Sequence, residues 1–291
     1  MYCGIIGNVL FPVWFFQGIQ KMRYITILNM SGRICTMLGI FLLVKTPEDY
    51  ILAAFLQACT PLIAGIFSIV WLSKHYTGLF KWPTIGEIIN SYKEGWSIFV
   101  SSLAVNLYTA TNIVVLGMLT NNVIVGYYSA ADKLIICVRR GIYAVSDAIY
   151  PFISKMMKDD IPKGLQFIKK QLFLYLIVGV VGCTSLFFFS DTIVRLLFGA
   201  DYDLTVDVLR ILSFVPLAVA ISTVFGEETM LPLNMNSAYS RTLVLAAFFS
   251  LLSIFPLCYL WGAKGVAMTM LLTEFLIMII MGGLLRKQLF Q

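Results

Sequence analysis

No charged side chain occurs between Gln171 and Ser190, a stretch of the sequence that reads QLFLYLIVGVVGCTSLFFFS. An α-helix rises about 1.5 Å per residue, so about 20 apolar residues cross the roughly 30 Å hydrocarbon layer of a bilayer. A membrane β-strand would instead alternate apolar and polar residues over about ten positions. This stretch is apolar on every side, which predicts a membrane-spanning helix.

Comparable apolar runs recur along the whole chain. We expect about eight full spans and one partial span, and therefore an all-α, polytopic membrane bundle. The composition agrees, because 59% of the residues are hydrophobic and only 12% are charged, which is about half the charge of a typical soluble domain. The predicted spans are 1–16 (partial), 24–44, 50–72, 95–119, 123–150, 171–190, 206–225, 242–260 and 266–285. Between them we expect a basic loop at 154–170, an interfacial segment at 191–202 and a polar connection at 227–241.

Basic residues are concentrated in alternate connections between these spans. The positive-inside rule places the more basic connections in the cytoplasm, and the C-terminus with them. The net charge of +6 therefore reports orientation in the membrane, and scattered cations of this kind exclude a nucleic-acid partner. The basic set comprises Lys21, Arg23, Lys74, Lys81, Lys93, Lys155, Lys158, Lys163, Lys169, Lys170, Arg241, Arg286 and Lys287, whereas the opposite set comprises Lys45, Arg195 and Lys264.

The sequence lacks the patterns of enzymes and metal proteins. Its six cysteines are scattered singly, without a Cys-x-x-Cys pair, and its one histidine, His75, excludes a multi-histidine site. No Walker loop, catalytic Ser-His set or long loop outside the membrane occurs. We therefore predict a transporter rather than an enzyme, with no metal and no cofactor.

Basic residues inside the predicted spans are candidates for function. A charge at the bilayer centre costs about 2.5–3.5 kcal/mol on insertion scales, so it requires a partner, water or a route to the surface. We expect Arg210 near the outer interface, where its side chain can reach water. Four others are candidates for the wall of a water-filled cavity that receives an anionic head group: Arg33, Lys133, Arg139 and Arg140.

The span 123–150 carries charges at regular intervals. Lys133, Arg140 and Asp147 recur every seven residues and share one helix face. That face forms either an ion-pair ladder against neighbouring helices or the basic wall of the cavity. Glu274, in the last span, either neutralises Arg33 or Lys133 or carries a proton in a coupled transporter. The candidates for charge pairing or ion coupling are thus Asp132, Asp147 and Glu274, and Pro61 and Pro216 are expected to interrupt the middles of their spans.

The segment FPVWFFQGIQKM, residues 11–22, carries a family resemblance. It is similar to a loop of the O-antigen flippases, the polysaccharide-transport branch of the multidrug/oligosaccharidyl-lipid/polysaccharide exporter superfamily. The pattern of that loop is Pro-x-Trp-x-Phe-Gln-Gly followed by a basic-Met pair, and it is matched at Pro12, Trp14, Phe16, Gln17, Gly18, Lys21 and Met22. Further matches are Ala148–Pro151, Gly226 with Met230–Pro232, and Thr273–Glu274.

The resemblance implies a fold of about twelve helices in two six-helix lobes around a central cavity. Residues 1–94 then correspond to an incomplete first lobe with its cytoplasmic connection, lacking the N-terminal helices, and residues 95–291 to a complete second lobe. The implied function is the flipping of undecaprenyl-pyrophosphate-linked O-antigen repeat units across the bacterial inner membrane in lipopolysaccharide biosynthesis.

The implied protein partners are the O-antigen polymerase and chain-length proteins. Two alternatives stay open at this point. One is a drug/cation antiporter of the same superfamily, which would prefer buried carboxylates over buried bases. The other is an inactive, truncated membrane fragment or scaffold.

Overall fold

The computed structural model describes residues 2–19, 21–46, 49–75 and 83–289. These residues form helices joined by turns, which confirms the predicted all-α fold. The chain divides into two compact units, Met1–Ile85 and Gly86–Gln291. The helices are α1 (Tyr2–Leu10), α2 (Val13–Gly18), α3 (Met22–Leu43), α4 (Tyr50–His75), α5 (Ile85–Leu119), α6 (Asn122–Asp159), α7 (Ile161–Phe198), α8 (Asp203–Leu212), α9 (Val215–Phe225), a single-turn π-helix (Gly226–Met230), α10 (Asn236–Trp261) and α11 (Ala263–Leu289).

Among the described residues, seven helical segments are long and apolar enough to cross a membrane, so the chain is a multi-pass membrane protein. Helix α6 is as long as α7, at 38 residues, but charged side chains interrupt its apolar character. That α6 also crosses the membrane stays a prediction. The seven segments are 23–43, 51–75, 85–119, 161–198, 203–230, 236–261 and 263–286.

In the first unit, α4 packs against both α1 and α3. Gly7 permits a close approach of α1 to α4, because a Cβ atom there would lie 2.2 Å from the backbone nitrogen of Leu62. Thr60 of α4 donates a 2.9 Å hydrogen bond to the Thr36 hydroxyl of α3. Pro61 lies inside α4, as predicted. The close approach at Gly7 and this hydroxyl pair therefore help to join α4 to its two neighbours.

The second unit is built around α9, whose described neighbours are α6, α7, α11 and the π-helix. A helix that is hydrophobic all round is expected to be enclosed by others, and ten of the eleven residues of α9 are buried. Two hydrophobic clusters surround it. One contains Leu116, Ile135, Leu209 and Val266, and the other contains Ile153, Ile168, Met230 and Leu285.

The prediction of a basic loop at 154–170 is wrong. Helix α6 continues to Asp159, Asp160 alone forms the joint, and α7 begins at Ile161. The Asp160 carboxylate pairs with Lys163 Nζ at 2.9 Å and accepts a 3.2 Å hydrogen bond from the Lys163 backbone nitrogen. These two contacts lower the pKa of Asp160 below its ordinary value. Hydropathy detects only the apolar part of a helix, so it does not distinguish a lysine-rich helical end from a loop.

The remaining boundaries also differ from the prediction. Helix α7 runs on to Phe198, through most of the segment predicted to be interfacial. The predicted span 206–225 consists of α8 and α9, separated at Ser213–Phe214. Pro216 therefore lies in the first turn of α9 and not mid-helix, a position where the missing N–H of proline has no helical partner to lose.

The start of the predicted polar connection at 227–241 is also corrected. It forms the π-helix, in which Glu228 and Met230 are fully buried. Two adjacent glutamates after an apolar run resemble a solvated turn, but here the interior supplies polar neighbours for them.

Candidate functional site

A polar network lies inside the second unit. On α6 and α11, its residues fall between those that contribute to the two hydrophobic clusters. The hydroxyl of Tyr108 on α5 donates a 3.1 Å hydrogen bond to Glu274 Oε1. Arg139 Nη2 on α6 lies 3.5 Å from the same oxygen and donates to the Tyr143 hydroxyl at 3.3 Å. Arg139 is 8% exposed and Glu274 is 3% exposed, so Glu274 pairs with Arg139 rather than with Arg33 or Lys133.

A small cavity of about 90 Å³ adjoins this network. Its polar lining includes Tyr108, Tyr143, Glu227, Tyr239 and Glu274. A polar space of this size suits a few water molecules. The buried ion pair therefore borders a polar space and is not sealed in hydrocarbon.

Sequence reasoning missed Glu227 and Glu228 of the π-helix. Glu227 borders the small cavity. Glu228 is wholly buried, and its Oε1 accepts a 2.6 Å hydrogen bond from the Ser146 hydroxyl of α6. The sequence does contain an indication of these two glutamates, because the family matches at Gly226 and Met230 lie on either side of them.

The predicted face of α6 is present, but it points away from the core of its unit. Lys133, Arg140 and Asp147 are all exposed. Within the described residues neither Lys133 nor Arg140 forms an ion pair, so no ladder forms inside this unit. Lys133 also borders a surface cavity of about 480 Å³ together with Tyr127 and Tyr202.

The other predicted residues lie apart from this network. Arg33 is exposed on α3, in the first unit, and Asp132 is half-buried on α6. In the motif loop, Pro12 precedes α2, Trp14 is 74% exposed and Gly18 ends α2. The side chain of Gln17 and the whole of Lys81 lie outside the described residues.

The sequence suggests that bases outnumber carboxylates inside the predicted spans. The buried charged residues of this unit do not show that excess. Among the described residues of this unit, the buried charged ones are two carboxylates, Glu228 and Glu274, and one base, Arg139. Lys133 and Arg140 lie on an exposed face of α6 instead. The balance of buried charge alone therefore does not separate a flippase from a cation antiporter.

Together these features define a polytopic membrane protein with a charged network inside an apolar helical bundle. Residues 1–157 match the family described as "Polysaccharide biosynthesis protein". The chain is 31% identical over 279 residues to the "Putative O-antigen transporter" of Escherichia coli strain K12, a match that covers 94% of this chain and 66% of that protein.

Two further relatives agree with this match. A protein of the same name from Shigella dysenteriae is 30% identical over 280 residues, covering 95% of this chain and 69% of that protein. The "Probable low-salt glycan biosynthesis flippase Agl15" of Haloferax volcanii is 24% identical over 243 residues, covering 82% of this chain and 50% of that protein. No solved structure matches the chain.

The chain belongs to the polysaccharide biosynthesis protein family, which confirms the resemblance to the O-antigen flippases. It spans about two thirds of the length of the two bacterial relatives, at 66% and 69%. The names of all three relatives are those of transporters or of a flippase and not of enzymes, as the sequence predicts.

Proposed function

We propose that this chain flips undecaprenyl-pyrophosphate-linked O-antigen repeat units across the bacterial inner membrane, with its C-terminus in the cytoplasm. The names of the relatives support a lipid-linked glycan as the substrate. The structural observation that carries the proposal is the exposed pair Lys133 and Arg140, which share one face of α6.

The spacing of these two cations suits a pyrophosphate. Seven residues of helix correspond to a rise of about 10 Å, so an anionic group can lie between the two side chains. A cation that faces lipid at the bilayer centre costs about 2.5–3.5 kcal/mol, which makes an uncovered basic face unsuitable for contact with acyl chains. In the proposed transporter this face of α6 borders water and receives the pyrophosphate.

A second exposed polar stripe, on α5, suits the glycan. Ser102 and Asn106 are exposed, and the Asn106 amide donates a 2.8 Å hydrogen bond to the Ser102 carbonyl of its own helix. The Thr109 hydroxyl likewise donates to the Val105 carbonyl at 2.8 Å. These side chains bond within α5, so their remaining donors and acceptors suit the hydroxyl groups of a sugar.

The four candidate cations take different roles in this proposal. Lys133 and Arg140 contact the pyrophosphate, and Arg33 in the first unit is a further candidate. Arg139 is neutralised by Glu274, so we assign it to positioning α6 rather than to substrate contact. The O-antigen polymerase and chain-length proteins, which would use the flipped repeat units, are the proposed partners. The relatives' names favour this function over drug antiport.

Complementation of a strain that lacks its own O-antigen flippase tests the proposal. The chain is expressed with an epitope tag, and membrane insertion is measured separately from lipopolysaccharide ladders on gels. We expect the chain to restore the ladder. A chain that is present in the membrane at the level of a working flippase, yet restores no ladder, would overturn the proposed function.

A further inference from the structure

Four buried polar atoms without hydrogen-bond partners lie beside the π-helix. They are Glu228 Oε2, both amide atoms of Gln171 and the Tyr175 hydroxyl oxygen. Glu228 is wholly buried and Gln171 is 6% exposed. Gln171 and Tyr175 lie four residues apart on α7, so their side chains share a face. The Gln171 amide lies beside both the Glu228 carboxyl and the Tyr175 hydroxyl but outside hydrogen-bonding geometry.

Such a cluster is unusual, because buried polar groups in proteins nearly always have hydrogen-bond partners. An ionised carboxylate without a counter-charge is costlier still in an apolar interior. The one bond that Glu228 makes is the 2.6 Å bond that Oε1 accepts from Ser146. Its other oxygen, Oε2, therefore requires either a donor or a proton of its own.

No cation faces Glu228 within the described part of the chain. The titratable groups that face it are Glu227 on the π-helix and Tyr175 on α7, and α9 carries no titratable residue. Asp147, Tyr143 and Tyr150 of α6 and Tyr239 of α10 face Glu227. Arg139 is already paired with Glu274. The surroundings of Glu228 are therefore acidic or neutral.

We propose that Glu228 is a proton-binding site in which one proton on Oε2 completes a hydrogen-bonded chain from Ser146 to Tyr175. Ser146 donates to Glu228 Oε1, the new O–H on Oε2 donates to the Gln171 amide oxygen, and the Gln171 amide nitrogen donates to the Tyr175 hydroxyl oxygen. This arrangement gives each of the four atoms a partner after small side-chain adjustments and buries no net charge, whereas an ionised Glu228 that accepts from the Gln171 amide nitrogen still lacks a counter-charge. A proton also requires no additional space, whereas a metal ion requires a shell of ligands, and no group of three or more His, Cys, Asp or Glu side chains is placed to hold a metal ion among the described residues.

Proton occupancy at this position is linked to the packing of the π-helix. This turn packs against α6, α7, α9 and α10, and single-turn π-helices frequently mark functional positions. Loss of the proton leaves a bare carboxylate among buried groups, which favours a repacked turn that brings Glu228 to the polar cavity beside Glu227. The site is separate from the Arg139–Glu274 pair, and its existence does not depend on what the chain transports.

Infrared spectroscopy of the purified chain in lipid at neutral pH tests the proposal. We expect the carbonyl stretching band of a protonated carboxylic acid, and we expect Glu228→Gln to remove it. Glutamine has nearly the shape of the neutral acid, so this variant is expected to keep the thermal stability of the wild type. Asp159→Asn, which neutralises an exposed carboxylate at the end of α6, is the control and is expected to keep both the band and the thermal stability of the wild type.

Ser146→Ala gives a second test that leaves Glu228 in place. The carboxyl carbonyl then loses its hydrogen bond, so the band is expected to move to higher frequency. A band unchanged in Glu228→Gln, or unmoved in Ser146→Ala, overturns the proposal. Thermal stabilisation of the wild type by sodium that is lost in Glu228→Gln would assign the position to a metal cation, and would also overturn it.

Discussion

Arg139 and Tyr108 meet at a single oxygen of Glu274. The guanidinium lies 3.5 Å from Glu274 Oε1 and the tyrosine hydroxyl donates to it at 3.1 Å. These residues belong to α6, α5 and α11, so one carboxylate oxygen connects three helices of the second unit. A buried ion pair is costly to form, but breaking it by removing one partner is costlier, because the other charge stays buried without compensation.

We therefore expect Glu274→Gln to destabilise the second unit. Removal of one partner of a buried pair costs about 3–5 kcal/mol, which should appear as a lower midpoint of thermal unfolding in detergent. The double variant Glu274→Gln/Arg139→Gln removes both charges and is expected to recover much of that loss. If the two substitutions were simply additive, the pair would contribute no coupling and this interpretation would be wrong.

Lys133 and Arg140 of α6 are expected to matter for transport and not for folding. In the chain that complements the flippase-deficient strain, Lys133→Ala/Arg140→Ala should abolish the lipopolysaccharide ladder while membrane insertion is unchanged, because neither residue has an ion-pair partner among the described residues. Lys158→Ala, which removes an exposed cation near the end of the same helix, is the control and should keep the ladder. A normal ladder in the double variant would refute the assignment of these residues.

The contact between α10 and α11 depends on Gly265. A Cβ atom at this position would lie 1.9 Å from the Leu257 carbonyl oxygen, which no side-chain movement relieves because the obstacle is backbone. We expect Gly265→Ala to destabilise the unit by about 1–3 kcal/mol, the usual range for overpacking. Gly283→Ala on the same helix meets nothing within 4 Å and should be neutral or stabilising. Equal thermal unfolding midpoints for the two variants would contradict the predicted contact.

Asp160 makes stability depend on pH at the α6–α7 joint. Its pKa is lowered in the folded chain by Lys163, so the carboxylate stabilises the fold above the ordinary pKa of about 4, and this contribution is lost as pH falls through the lower folded pKa. We expect Asp160→Ala to lower the unfolding midpoint at pH 7, and the difference from wild type to shrink in strongly acidic buffer. Asp160→Asn retains an oxygen that caps the helix, so it should lie between the two. A difference that is constant with pH would exclude this role.

The sequence predicts the membrane-spanning helices well because lipid imposes the same requirement on each of them. An apolar run such as 171–190 predicts a helix without knowledge of its neighbours. The seven-residue spacing of Lys133, Arg140 and Asp147 likewise predicts one shared face from helix geometry alone. In the structure all three residues are exposed on α6.

Pairing between distant charges cannot be predicted in the same way. Glu274 pairs with Arg139, its partner at a sequence separation of 135 residues, and that choice depends on how α6 and α11 pack. Two adjacent arginines, Arg139 and Arg140, differ by 100° around the helix, and this rotation alone makes one buried and the other exposed. Glu228 was missed because polarity next to an apolar run is typical of a loop, and only tertiary packing encloses it.

A single residue, Asp160, connects α6 and α7, which are helices of 38 residues each. Each helix is about 57 Å long, nearly twice the thickness of the hydrocarbon layer. Because Asp160 is the one residue between the two helices and its carboxylate is bound to Lys163, we expect movements of α6 and α7 at this end to be coupled. We expect a movement of α6 to reach Gln171 and Tyr175, which lie within the first 15 residues of α7.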